Sequence, residues 1–222
     1  EDSGTTVALY SQNSGDEPLT FSCIDFAELG TNLILVHSAA RVGDCAISRR
    51  VENLCARSSL ISHASWTKTS VSIGSSYDVG PASHRFESPA ATVTDSNGSV
   101  TGSVSRTFVA PQGEPVFARV IVAKGSHPRL ALEVQLAGGA GAISKIVADP
   151  STGSIESVNC SGVASSLGSY WSFDMTMKSG DDADTNGTVA FYPAYRTTPG
   201  TAPDPAATGT QVLWGIQVST GK

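Results

Sequence analysis

A short acidic run near the C-terminal end of the chain has the residue types of a metal site. Asp181, Asp182 and Asp184 lie just before Asn186-Gly187. Calcium is bound by several oxygen ligands, commonly in a flexible loop that contains glycine, so this run could supply ligands to it. The run lacks the ligand spacing and terminal Glu of an EF-hand. Two interpretations stay open, a calcium site and a solvated acidic hairpin turn; calcium is the only cofactor for which the sequence offers ligands.

Motifs of common catalytic sites are missing from the sequence. It has no GxSxG, no P-loop, no GxGxxG opening a helix and no HExxH. A glycosidase needs two carboxylates that face each other across a groove, and the sequence singles out no such pair. The histidines are dispersed along the chain at His37, His63, His84 and His127. We therefore expect that the chain is not an enzyme.

Aromatic and polar residues on outward strand positions could bind a sugar instead. Exposed aromatic rings can stack on sugar rings, while amide, carboxylate and guanidinium groups hydrogen-bond the sugar hydroxyls. The alternation of the strands predicts a set of outward candidates: Tyr192, Tyr195, Arg196, Gln135 and Glu133. The alternative interpretation, that these are ordinary residues of a sheet surface, stays open.

Composition and charge narrow the class of protein. The chain has 222 residues, of which 40% are hydrophobic and 15% are charged, and its formal net charge is −6. The negative charge disfavours a nucleic-acid phosphate backbone as a partner. Apolar runs such as "NLILV" are far too short to insert across a membrane. The four cysteines, Cys23, Cys45, Cys55 and Cys160, form no CxxC and are expected to be free buried thiols or to form one or two disulfides.

Period-two alternation predicts an all-β fold with an inner and an outer side to each strand. Four inner rows are predicted: Leu130, Leu132, Val134 and Leu136; Val116, Ala118, Val120 and Val122; Trp171, Phe173, Met175 and Met177; and Val212, Trp214, Ile216 and Val218. In "GTVAFYPAYR", Pro193 is predicted to end the strand or to put it near a sheet edge, because proline cannot donate to a central ladder. Strands separated by frequent turns indicate an antiparallel two-sheet sandwich.

The pattern divides the chain into two parts. Residues 52–222 read as a β-sandwich domain, whereas residues 1–51 contain apolar strands but too little mass to close a core alone. We expect residues 1–51 to be a segment for docking or oligomerisation. The chain begins Glu1-Asp2, and this start fits a maturation cleavage or a removed signal peptide.

The order of several motifs resembles jelly-roll domains akin to carbohydrate-binding modules, as found in tailed-phage virion proteins. The motifs are Asn-Leu at 53–54, Ser-Trp-Thr-Lys at 65–68, "GSVSRTFVA" at 102–110, "VFARVIVAKG" at 116–125, "RLALEVQL", "ADPSTGSI", "LGSYWSFDMTM" and the closing "LWGIQVS". The resemblance covers about residues 52–220 and transfers no catalytic residue.

The resemblance implies a phage head fibre, head spike, decoration protein or tail appendage. The expected location is the virion surface, and the expected partners are other virion proteins, host surface glycans and sister subunits, with a trimer favoured. The alternative is an extracellular carbohydrate-binding module of a secreted polysaccharide-degrading enzyme.

Overall fold

The computed structural model describes residues 19–20, 39–40, 51–55, 60–75, 90–110, 115–137, 143–177 and 186–221. These residues form strands, turns and loops. A helix with the length and hydropathy of a membrane span is absent from this part of the chain.

The described ranges contain fifteen strands. Their bounds are β1 Leu19–Thr20, β2 Ala39–Ala40, β3 Val51–Asn53, β4 Thr67–Thr69, β5 Val71–Ser75, β6 Ala91–Asp95, β7 Ser103–Val109, β8 Val116–Ala123, β9 Arg129–Ala137, β10 Ile143–Ala148, β11 Ile155–Val158, β12 Ser161–Leu167, β13 Tyr170–Met177, β14 Asn186–Arg196 and β15 Gly209–Gly221.

Two antiparallel sheets make up the body of the protein, as the alternation predicted. Sheet A has the order β11-β10-β9-β14-β7-β4, and sheet B has the order β12-β13-β8-β15-β6-β5 with β3 paired to the far end of β15. Strands at matching positions in the two orders contact each other across the core, as in the pairs β11 with β12, β9 with β8 and β14 with β15. The result is a jelly-roll sandwich.

At each side of the sandwich the chain passes from the edge strand of one sheet to the edge strand of the other. Between β4 and β5 this change occurs at Ser70, and between β11 and β12 it occurs at Asn159. Both residues are in the left-handed region, with φ of 54° and 56°. Asn adopts this conformation more readily than most residues, and a single left-handed residue lets the strand turn sharply.

The core between the sheets confirms two of the predicted rows in full. Leu130, Leu132, Val134 and Leu136 of β9 are buried, and so are Val116, Ala118, Val120 and Val122 of β8. In β13, Phe173, Met175 and Met177 are buried in the same cluster, while Trp171 is partly buried at the end of the row. The Trp171 Nε1–H donates to the Pro150 carbonyl at 3.1 Å, and the Lys124 ammonium lies 4.3 Å from the ring centroid.

The predicted inner row of β15 holds at Ile216 and Val218 but is wrong at Val212 and Trp214, which belong to a cluster on the outer face of sheet B. The pairing of β15 with β8 shifts register between Leu213 and Gly215, which marks a β-bulge. Gly215 has φ of +153°, a conformation that favours glycine. Leu213 therefore enters the core in place of its neighbours, and Trp214 packs on the outer face of sheet B, edge-on to Tyr170 at 4.1 Å between ring centroids.

The predicted place of Pro193 is also wrong, since β14 is a central strand between β9 and β7. The ladder with β9 is interrupted between Tyr192 and Arg196, and the strand continues beyond the proline. The buried Gln211 side chain donates to the Pro193 carbonyl at 3.0 Å and to the Pro128 carbonyl at 2.9 Å. The interruption of the ladder accommodates the proline, which has no N–H to donate, and the Gln211 side chain satisfies its carbonyl.

Candidate carbohydrate-binding face

The outer face of sheet A brings together most of the residues that the sequence singled out. Glu133 and Gln135 lie on β9, and Tyr192 and Tyr195 lie on the adjacent β14. In register, Glu133 pairs with Ala190 of β14 and with Lys145 of β10. Core residues alternate with these positions on β9, so the side chains of Glu133 and Gln135 point away from sheet B.

Tyr192 contributes a partly buried ring to this face. Its ring meets that of Tyr195 edge-on, with 5.4 Å between the centroids and 64° between the planes. The Tyr192 hydroxyl donates to Glu133 Oε1 over a long distance of 3.5 Å. Burial, and then the Glu133 charge, raise the pKa of Tyr192 to about 12, so its phenol stays protonated at neutral pH.

Tyr195 supports the face from beneath rather than offering a ring to solvent. It is only 3% exposed and packs with Ala131 and Val147 in a small cluster on the outer side of sheet A. Its hydroxyl accepts a hydrogen bond from Lys145 Nζ at 2.8 Å and donates to the Thr201 carbonyl at 3.3 Å. A sugar ring could therefore stack on Tyr192 but not on Tyr195.

Glu133 is the carboxylate of the face. Desolvation raises the pKa of Glu133, while the Lys145 charge and the hydrogen bond from Tyr192 lower it. Gln135, two residues further along β9, is exposed and lies between Thr188 and Ile143 in register. The face thus offers a carboxylate acceptor and an amide that can both donate and accept.

Arg196 is committed to its own loop. Its guanidinium donates to the Ala202 carbonyl at 2.8 Å and to the Thr198 carbonyl. The loop 197–208 is held near sheet A by the Gly200 N–H, which donates to the Glu156 carboxylate at 2.9 Å. Arg129 lies between Glu156 and Asp149, at 3.1 Å and 3.4 Å. Arg196 therefore shapes one border of the face and does not reach into it.

Lys145, Glu156 and Arg129 take part in this arrangement, although the sequence analysis did not single them out. The alternation of "ISKIVA" would have placed Lys145 outward, because Ser144, Ile146 and Ala148 are buried. Its contact with Tyr195 depends on the register between β10, β9 and β14, which the sequence of β10 alone does not contain.

The proposed calcium ligands Asp181, Asp182 and Asp184 lie outside the described residues. Within the described ranges, no group of three or more His, Cys, Asp and Glu side chains is placed to hold a metal ion.

The face combines a partly exposed ring, a carboxylate and an amide on adjacent strands of a rigid sheet. Such a set can bind a ligand rich in hydroxyl groups, since the ring packs on C–H surfaces while the polar groups exchange hydrogen bonds with hydroxyls. Lys145 and the loop 197–208 lie beside these residues. Both are hydrogen-bonded to the Tyr195 hydroxyl, Lys145 through its ammonium group and the loop through the Thr201 carbonyl.

No protein-family model matches the chain, and no curated protein matches it. Among solved structures the chain is similar in fold to carbohydrate-binding modules and to a phage tailspike domain. The enzymatically active domain of tailspike protein 4 from bacteriophage CBA120 is 11% identical over 76% of this chain, with a TM-score of 0.48, and the match spans 21% of the tailspike chain. TmCBM61 in complex with β-1,4-galactotriose is 11% identical over 75% of this chain and 97% of its own, with a TM-score of 0.41. The xylan-binding domain CBM22-1 of Paenibacillus barcinonensis Xyn10C is 12% identical over 71% of this chain and 86% of its own, also with a TM-score of 0.41.

Proposed function

We propose that the chain is a non-enzymatic, glycan-binding β-sandwich that forms part of a phage virion, as a head fibre, decoration protein or tail appendage. The observation that carries the binding function is the meeting of Tyr192, Glu133 and Gln135 on the outer face of sheet A. In this proposal a host surface glycan lies across β9 and β14, with one sugar ring on Tyr192.

Binding rather than hydrolysis is supported by the surroundings of the carboxylates. Glu133 faces Lys145 and Tyr192. Glu156, on the same side of sheet A, accepts from the Gly200 amide and from Arg129, so it serves the loop. A hydrolase would need a second carboxylate free to act on the same bond.

Residues 1–51 dock the body to other virion proteins and to sister subunits in this proposal. The expected assembly is a homo-oligomer, with a trimer favoured, on the virion surface. The proposal includes no nucleic-acid partner, because the net charge of −6 repels phosphates on average, and it includes no insertion into a membrane.

The binding face is tested by titrating the full chain with neutral and acidic oligosaccharides, including β-1,4-galactotriose and xylan fragments, by calorimetry. Tyr192→Ala should weaken binding at least tenfold, or about 1.4 kcal/mol, whereas Tyr192→Phe should keep most of the affinity because the ring remains. Phe117→Ala is the matched control, since Phe117 is a partly buried ring on the outer face of sheet B. Equal affinity of Tyr192→Ala and the wild type would refute this face as the site.

A second measurement separates the virion protein from the alternative, a carbohydrate-binding module of a secreted enzyme. An antibody against the chain should label purified phage particles, and soluble sugars should not release the protein from them. A secreted module would be monomeric and absent from particles. Release of reducing ends from a polysaccharide, lost on Glu133→Gln, would instead identify an enzyme.

A further inference from the structure

The edges of the two sheets differ in how well they are protected from pairing with another strand. In sheet A the edge strands are short and each carries a charge, with Lys68 in the three residues of β4 and Glu156 in the four residues of β11. In sheet B one edge is β5, which has five residues, and the other is β12, which has seven. Short length and charge are the usual protections of an edge strand, and β12 has neither.

The strand β12 is regular along its whole length. Seven consecutive residues, 161–167, pair with 176–170 of β13 without a register shift. Its sequence, "SGVASSL", contains no proline and no charged residue. Every second residue of an antiparallel strand turns its N–H and C=O away from the strand it pairs with. On the side away from β13, β12 therefore has a row of backbone N–H and C=O groups. Among the described strands none pairs with that side.

Val163 gives the edge an apolar surface. It is 58% exposed and lies on the outer face of sheet B, since its neighbours Gly162 and Ala164 face Met175 and Phe173 across the ladder. Ser161, Ser165 and Ser166 are exposed as well. A partner that fits this edge is an extended strand that can cover a valine.

We infer that β12 pairs with β12 of a second copy of this chain, antiparallel and around a two-fold axis at Ala164. Val163 then lies opposite Ser165 of the second copy, and the Val163 side chains of both copies become diagonal neighbours on one face. Such a contact is self-complementary by symmetry. The residues of β12 carry no charge, and the Lys124 ammonium that donates to Ser166 Oγ at 2.6 Å lies on the opposite face of the strand from Val163. Sheet B of one copy and sheet B of the other then form one continuous sheet.

A single pair of seven-residue strands buries much less surface than a stable interface needs. The contact is therefore weak in dilute solution, and it becomes effective where many copies are held close together, as on an assembled particle. The β12 contact does not depend on any contact made by residues 1–51. If residues 1–51 hold the chain in a trimer, the two-fold β12 contact would link a β-sandwich of one trimer to a β-sandwich of another.

The inference is tested by sedimentation velocity of the full chain over a wide concentration range. Val163→Lys should raise the dissociation constant of this association at least tenfold, because it puts a charge at the edge and brings two ammonium groups close in the pair. Val109→Lys is the matched control, as Val109 is 73% exposed and lies on β7 of sheet A. That variant should associate like the wild type.

A mixture of Val163→Lys with Ser165→Glu tests the register. In the mixed pair, the ammonium group introduced at position 163 of one copy faces the carboxylate introduced at position 165 of the other, so the mixture should associate more tightly than Val163→Lys alone. The inference is overturned if the wild type shows no concentration-dependent step, if Val163→Lys associates like the wild type, or if Val109→Lys weakens association equally. Glycan binding at Tyr192 is unaffected by these outcomes, so the two proposals fail separately.

Discussion

The Glu156 carboxylate accepts a hydrogen bond from the Gly200 amide at 2.9 Å, and this contact ties the loop 197–208 to β11. The same loop accepts from the Tyr195 hydroxyl at Thr201 and from the Arg196 guanidinium at Ala202. Long connections in compact domains are often functional. Here the loop is held by Glu156, by Arg196 at the border of the proposed glycan-binding face and by Tyr195 beneath it, so the conformation of the loop and the shape of the face are coupled.

Replacing Gly200 should loosen this loop. Gly200 has φ of +134°, and a Cβ added there would lie 2.5 Å from the Arg196 guanidinium. We expect Gly200→Ala to lower the free energy of unfolding by about 1 to 3 kcal/mol, the usual cost of such backbone strain. Urea unfolding followed by circular dichroism measures it. Gly98→Ala is the control, because a Cβ at Gly98 meets nothing within 4 Å; equal losses in both variants would contradict the prediction.

The partial burial of Glu133 should make stability depend on pH. Desolvation raises the pKa of Glu133, so the folded protein holds this proton to a higher pH than the unfolded chain does. The resulting contribution to stability is fully present below the unfolded pKa of about 4.3. It is lost as pH rises through the higher folded pKa.

Glu133→Gln should remove this pH-dependent contribution to the free energy of unfolding. The free energy of unfolding of the wild type should fall relative to that of Glu133→Gln as pH rises through this window. Tyr192→Phe should shift the window upward, since the Tyr192 hydroxyl lowers the pKa of Glu133. Urea unfolding at a series of pH values checks both, and a constant difference between wild type and Glu133→Gln would disprove the buried state of the carboxyl.

The tryptophans should differ in their access to solvent. Trp66 and Trp214 are each 1% exposed, whereas Trp171 is partly buried. Acrylamide quenching should therefore act mainly on Trp171, and Trp171→Phe should remove most of the quenchable fluorescence. Trp214→Phe is the matched comparison. Strong quenching that disappears in Trp214→Phe would put Trp214 in an open cleft and contradict its packing against Tyr170.

Local alternation predicted the sandwich well wherever a strand is regular. Leu130 to Leu136 and Val116 to Val122 face the core as expected, because burial of one sheet face imposes period two on the residues that cover it. The prediction failed at Val212 and Trp214, because the bulge at Gly215 adds a residue and reverses which side of the strand faces the core. The alternation of apolar and polar residues in the sequence does not reveal this extra residue.

The candidate site shows the same division between local and non-local information. Outward parity on β9 correctly brought Glu133 and Gln135 to one face, next to Tyr192. Arg196 was misplaced because the bulge after Tyr192 and the fold of the loop direct its guanidinium to main-chain carbonyls. Lys145 was missed because cross-strand register joins residues far apart in the sequence.

The side chains of Cys55 and Cys160 should react with a thiol reagent at different rates. Both are thiols outside any disulfide. Cys55 is fully buried, and burial raises its pKa to about 12 despite the opposing charge of Arg106. Desolvation also raises the pKa of Cys160, but Cys160 is only partly buried. Because the thiolate is the reactive form and must meet the reagent, Cys160 should be alkylated first.

Timed alkylation with iodoacetamide, followed by peptide mass spectrometry, measures the two rates in the wild-type chain. We expect Cys160 to react at least roughly tenfold faster in the native state, and both thiols to react at similar rates in urea, where burial is lost. Comparable native rates would mean that the residues covering Cys55 open as readily as the surface around Cys160. The core would then be poorly closed around Cys55, although Cys55 belongs to the main cluster of buried residues.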